Sequence, residues 1–200
     1  MDLKQFKQLK QSIMKKGLLI TISIILLMSC SKDENLVQVK EKFHGKYEMI
    51  SSVSLEPVDL NMDGFSSNRL LSENPEYLNA GILLIISADN RYSFEEKWPV
   101  EYIETGTNEP IDSTRYHSTY LINYAMYMNG LMFQFDDNYK SIQLLGDLQK
   151  NPTNKLISIE SITIEENEII KVVTIRKLYT INGWTTTKIE SRYKRYTIIT

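Results

Sequence analysis

The sequence holds little that could cross-link or break it: one cysteine, five prolines and eight glycines in 200 residues. A single cysteine excludes an intramolecular disulfide, whatever the compartment. There are only two histidines, His44 and His117, and neither stands at a metal-ligand spacing or beside a recognisable nucleophile. No glycine-rich phosphate cradle appears, and nothing pairs two carboxylates as an acid and a base. The longest apolar run, Gly17 to Met28, has twelve residues, short of the roughly 20 that span a bilayer. Basic charge is scarce too. Residues 1–29 hold five lysines and one aspartate, so the remainder carries 18 basic and 24 acidic residues, a net charge of −6. That balance argues against a nucleic-acid partner, because binding phosphates needs a basic patch.

What is present begins with an address. Lys15-Lys16, the apolar run, the small Ser29 and the lone Cys30 follow one another in the layout of a secretory signal, and Met14 then fits a true start better than Met1. Leu27-Met28-Ser29-Cys30 resembles a bacterial lipobox, with Met28 a less usual occupant of its position. The resemblance implies that residues 1–29 are removed and that Cys30 is lipidated, with acyl chains such as palmitate anchoring it to a membrane. More than one chain is needed for stable anchoring, and lipoproteins of this class supply it. An ordinary cleaved signal with a free cysteine is the alternative. Ser31-Lys32-Asp33-Glu34-Asn35 resembles the export tag of surface lipoproteins in Bacteroidetes-type bacteria, which implies the outer membrane and its cell-surface face. A solvated polar tether over residues 30–42, on the periplasmic face, is the other reading.

From Phe43 to Thr200 the chain reads as one domain made of strand after strand. Tyr47, Met49, Val53 and Leu55 alternate with Glu48, Ser52 and Ser54, the period-two pattern of a half-buried strand. Gly81 to Ile86 is apolar on both faces and turns at Asp89-Asn90 into Arg91 to Phe94. Tyr116, Tyr120, Ile122, Tyr124, Met126 and Met128 share one face up to Asn129-Gly130, a two-residue hairpin signal, after which Leu131, Phe133 and Phe135 form the return strand. Asp136-Asp137-Asn138 marks a turn before the short strand from Ile142 to Leu145. Three β-rich stretches follow, 157–164, 169–181 and 184–199, broken at Glu166-Asn167 and Asn182-Gly183. In the last of them Lys188, Glu190, Arg192 and Lys194 face away from Thr187, Ile189 and Tyr193. Between about Glu56 and Ala80 the pattern lapses, with one short helix expected over Ser67 to Glu73.

Eight to ten strands joined mostly by short turns make an antiparallel meander, and a sheet of that size closes or splits to remove its edges. The expected fold class is all-β: an up-and-down barrel, with a β-sandwich as the alternative. Phe43-His44-Gly45-Lys46-Tyr47 is similar to the Gly-x-Trp opening of lipocalin-like barrels, with Tyr47 in place of tryptophan. Together with the leader, the resemblance is to lipocalin-like outer-membrane lipoproteins of Bacteroidetes-type bacteria.

The sharpest local motif is Asp59-Leu60-Asn61-Met62-Asp63-Gly64, the acid-x-amide-x-acid-Gly opening of a calcium loop. Asp59, Asn61 and Asp63 would offer side-chain oxygens, Phe65 its carbonyl and Ser67 its hydroxyl. Leu70 stands where an EF-hand has its bidentate glutamate, so a regular EF-hand is excluded, and Glu73, one helical turn on, would have to swing back. A Ca2+ bound there would be weak, about 10⁻⁴ to 10⁻³ M. The same residues read equally as a metal-free turn built on Asp and Asn side chains.

The remaining candidate site is the interior. Tyr116, Tyr120, Tyr124, Met126 and Met128, facing Phe94, Trp98, Phe133 and Phe135, would line a pocket for a small apolar ligand, or would equally be the packed core of a filled barrel. Three functions follow. One is a non-enzymatic, membrane-anchored binding module holding an apolar ligand or an envelope partner. The second is a packed structural or interaction subunit of a surface complex, and the third an envelope hydrolase with a site the sequence does not mark. A cavity of at least about 300 Å³ separates the first from the second.

Overall fold

The computed structural model describes residues 36–89, 91–105, 111–112, 114–146 and 156–197, with the side chains of 156 and 157 left aside. The leader, Cys30 and the export-tag residues lie outside the described residues. Among the described residues no helix is long and apolar enough to cross a membrane. The chain divides into two compact units, Met1–Glu41 and Lys42–Thr200. In the first, residues 36–41 are helical, so that part of the expected polar tether has regular structure.

The second unit is all-β. Nine strands form one antiparallel sheet: β1 (Gly45–Val58), β2 (Ser67–Arg69), β3 (Gly81–Ile86), β4 (Tyr92–Thr105), β5 (Tyr120–Phe135), β6 (Ser141–Leu145), β7 (Leu156–Ile164), β8 (Ile170–Thr180) and β9 (Gly183–Thr197). The order β1-β3-β4-β5-β6-β7-β8-β9 closes through pairing of β9 back onto β1, and β2 adds to the edge of β1. This is the up-and-down barrel expected of a lipocalin-like chain, and single-sheet closure excludes the sandwich. Closure leaves no free edge where pairing is complete.

Turn chemistry explains the last two connections. Asn167 takes a positive φ between β7 and β8, and Gly183 does so as the first residue of β9, the backbone state that Asn and Gly tolerate best. The opening of β1 depends on Gly45: its φ is +148°, and a Cβ there would lie 2.2 Å from the Thr197 carbonyl oxygen on β9. His44, beside it, accepts the Ile86 N–H on Nδ1 at 2.9 Å, which gives this histidine a structural task at the end of β3.

Three local expectations change. The helix expected over Ser67 to Glu73 is split into β2 and a single helical turn, Leu70–Glu73. Asn68 is the reason, since its amide donates to the Ser54 and Leu55 carbonyls at 2.8 and 3.2 Å and holds 67–69 against β1. The alternation of β1 reverses at a bulge between Met49 and Ser51. Tyr47 and Met49 are buried above it, whereas beyond it Ser52 and Ser54 are buried and Val53 and Leu55 are exposed, because one extra residue moves every later side chain to the other face. Finally, Asn129-Gly130 is no turn. β5 runs straight through it, pairing with β4 from Thr105↔Tyr120 to Tyr92↔Phe133 without a break, since fourteen continuous pairs with β4 outweigh one turn-prone dipeptide.

Candidate functional site: the lumen and its flanks

The straight course of β5 divides the expected lining. Residues two apart share a face, so Met126 and Met128 point the same way while Phe133 points oppositely. Phe133 is buried and Phe135 half-buried; Met126 and Met128 are exposed, Met128 by 63%. Phe133 and Phe135 pack with Tyr92, and Phe135 also meets Phe43 at 4.9 Å between ring centroids. Tyr124 lies against Tyr77 and the Asn74 amide. Tyr116 and Tyr120 belong to the end of the barrel at the β8–β9 turn, where the Tyr116 N–H donates to the Ile181 carbonyl. The seven residues therefore do not enclose one pocket.

The lumen is filled by other side chains. Glu96 on β4 and Arg176 on β8, 1% and 3% exposed, form an ion pair. Between these strands lie β5, β6 and β7 one way round and β3, β1 and β9 the other, so the pair crosses the barrel from wall to opposite wall. The Arg176 guanidinium sits 3.8 Å from the Trp98 ring centroid and its Nε donates to Thr174 Oγ1 at 3.1 Å. Trp98 in turn meets Tyr77 at 5.2 Å, and the Tyr77 hydroxyl donates to Glu101 Oε1, a buried carboxylate on the opposite face of β4, which pairs with Tyr124. Ser52 and Ser191 share a hydrogen bond of 2.9 Å between β1 and β9. Burial drives the Tyr77 and Tyr193 hydroxyls well above the ordinary phenol range, with Glu101 adding to it at Tyr77 and Glu96 at Tyr193.

Charges are buried only when paired, so this network is the interior's main commitment, and its key members escaped the sequence reading. A signal existed: in Phe94-x-Glu96-x-Trp98 and Val172-x-Thr174-x-Arg176-x-Leu178 a charge stands on a strand face whose other residues are uncharged and mostly apolar. Opposite charges at inward positions of two strands are a contact that alternation alone could have suggested.

The Asp59 loop closes the β8–β9 end, with the Asp59 carbonyl accepting the Ile181 N–H at 3.1 Å. Its oxygens are spent on its own backbone. Asp59 takes the Asp63 and Gly64 N–H groups at 3.2 and 2.8 Å. Asn61 Oδ1 takes Asp63 N–H at 3.1 Å, and Asp63 takes Phe65 N–H at 2.8 Å. Asn61 turns its amide nitrogen toward Asp63. Ser67 Oγ accepts the Arg69 N–H at 3.0 Å, and the Phe65 side chain is exposed. Glu73 does swing back onto the loop, where it accepts the Leu60 N–H at 3.2 Å. Burial, then Asp59 and Asp63, raise its carboxyl above the usual range, against the lowering effect of that N–H. Leu70 is fully buried in the core. Among the described residues no three His, Cys, Asp or Glu side chains gather to hold a metal ion.

Cavities lie on the flanks. One of about 650 Å³ is on the outside of β1, β3 and β4, lined by Leu78, Met128, Tyr196 and Lys97 among others. Another of about 540 Å³ lies between β6 and β7, with Ile142, Leu144, Ile159 and Ile162 in its wall. His117 is at the surface, 3.4 Å from Asp112 Oδ2 and 3.2 Å from Arg115 Nε. No family model, no curated protein and no solved structure matches the chain.

Proposed function

We propose that the chain is a non-enzymatic interaction module: a packed barrel, carried on the outer membrane by lipid at Cys30, that presents its outer surface to other envelope proteins. The observation that carries this reading is the Glu96–Arg176 pair across the lumen. A container for an apolar ligand needs an apolar void of about 300 Å³ or more, whereas here a guanidinium, a carboxylate and an indole occupy the space. An apolar guest would have to displace a buried ion pair, and stripping one charge of its partner costs about 3–5 kcal/mol. The outward Met126 and Met128 suit docking, since methionine adapts to a partner's shape. A hydrolase gains no support from the lumen, where the Glu96 carboxylate is buried and engaged by Arg176.

Native mass spectrometry of residues 31–200, produced in bacteria and sprayed with and without chelator, tests the reading. The expected result is the bare protein mass in both samples. A persistent organic adduct would overturn the packed scaffold in favour of a container, and a chelator-sensitive increment would return the Asp59 loop to the calcium reading.

A further inference from the structure

The barrel's closure is thinnest between β6 and β7. Among the described residues their ladder consists of two pairs, Ser141↔Thr163 and Ile142↔Ile162, continued at its closed end by the Ile164 N–H to Lys140 carbonyl bond of 2.8 Å. Beyond Ile142 each strand keeps its extended course and its other neighbour. β6 stays paired with β5 as far as Met132↔Leu145, and β7 with β8 as far as Leu156↔Arg176. The cause lies in β7, which has irregularities between Leu156 and Ser158 and again between Ile159 and Ser161. A bulge bends its strand and increases the local twist, and two within six residues steer β7 away from β6. The gap is the cavity of about 540 Å³. Its rims are two strand edges facing each other, Gln143–Leu145 and Ser158–Ser161. In its wall the Thr163 hydroxyl is buried without a partner.

We propose that this slot is a strand-docking site, which takes an extended segment of a partner polypeptide between β6 and β7. The proposal rests on the interaction-module reading above and names the surface and the chemistry of the partner. Strand edges carry rows of N–H and C=O groups that another backbone satisfies and that a lipid or small apolar molecule does not. An inserted strand would complete the ring on both sides at once, as in recognition by strand addition, where main-chain bonds supply affinity and alternate side chains supply selectivity. Ile142, Leu144, Ile159 and Ile162 make the slot apolar toward the lumen, so the inserted segment carries apolar residues at every second position.

Hydrogen–deuterium exchange of the full chain in detergent tests this, with acetyl-(Thr-Val)4-amide as the probe and the same peptide N-methylated at alternate residues as the control. In the free protein the amides of 143–145 and 158–161 should exchange faster than those of β9. With the probe at twice its measured Kd, exchange at both rims should slow about threefold, and the control should leave it unchanged. Oxidised Gln143→Cys/Ser161→Cys, at the next position of the register, should staple the rims and abolish the slowing. Three results would overturn the proposal: rims already protected in the free chain, no slowing with the probe, or equal slowing with the N-methylated control. If the rims fail while the native mass remains bare, only the slot is lost; an organic adduct in the native mass removes the scaffold reading itself.

Discussion

Splitting the ion pair that crosses the lumen gives two variants with different signatures. Glu96→Leu leaves Arg176 charged, 97% buried and without its carboxylate, and a guanidinium cannot shed its proton. The expected cost is about 3–5 kcal/mol at every pH, a large part of the roughly 5–15 kcal/mol that holds a domain together. Arg176→Met leaves the carboxylate instead, and a carboxylate can take up a proton. The folded variant then binds more protons than its unfolded chain, so its stability falls as pH rises and recovers as pH falls. The slope is at most about 1.4 kcal/mol per pH unit for one proton. The double variant Glu96→Leu/Arg176→Met removes both charges and keeps a flexible side chain against Trp98, so it should lie between neutral and about 1–4 kcal/mol more stable than wild type. Urea unfolding of residues 31–200, followed by tryptophan fluorescence, reports all three, because Trp98 lies on the guanidinium. An unchanged m-value would show that the same surface is exposed each time. Single variants costing under about 1 kcal/mol, the level of a solvated surface pair, would mean that water reaches the pair and that the lumen is open.

Gly45→Ala places a side chain at φ +148° and 2.2 Å from the Thr197 carbonyl; strain alone costs about 1–3 kcal/mol, and a melting temperature equal to wild type would refute the close approach of β1 to β9. In the Asp59 loop, where backbone N–H groups already fill the carboxylates, melting curves in calcium and in chelator should coincide, while Asp59→Ala should lose about 1–3 kcal/mol by orphaning the Asp63 and Gly64 N–H groups. A calcium-dependent rise in melting temperature would sink that account. Glu73 titrates above the usual carboxylate range in the folded state, so the native state holds its proton more tightly and stability falls as pH rises through that raised value. Glu73→Gln should therefore flatten the pH–stability curve and match or exceed wild type at pH 8; a clear loss there would show that the carboxylate is wanted as an anion.

Strand content was legible because most of this chain obeys a period of two. Lys188, Glu190, Arg192 and Lys194 do face out, and Thr187, Ile189 and Tyr193 are buried. The break at 166–167 falls where its residues put it, and the last hairpin turns on Ile181-Asn182, one residue before the expected pair. The misreadings share one physical origin: alternation fixes relative facing within a strand and says nothing about where the count slips. One bulge after Met49 sent Val53 and Leu55 outward. At Asn129-Gly130 the error ran the other way, since a turn assumed there assigned Met126 and Phe133 to one pocket when an unbroken strand sets them on opposite faces. The interior network was illegible for a different reason. Glu96 and Arg176 are 80 residues apart, and their meeting depends on β4 and β8 standing opposite each other, which only the closed ring decides.

That same closure limits where this fold can act. A barrel of eight strands is narrow enough for its own side chains to fill, and once a paired guanidinium and carboxylate occupy it, the wall-to-wall attraction opposes any widening. Binding inside would have to break the pair, so recognition moves to the wall. Along β4–β5 and β8–β9 the wall offers only side chains, because those long ladders consume the backbone between them. Where the β6–β7 ladder stops at Ile142 and Ile162, the proposed slot lies between two segments that already hold strand conformation. An incoming strand then loses its own freedom but requires little ordering of the barrel, so the open seam is where a given set of main-chain bonds would return the most affinity.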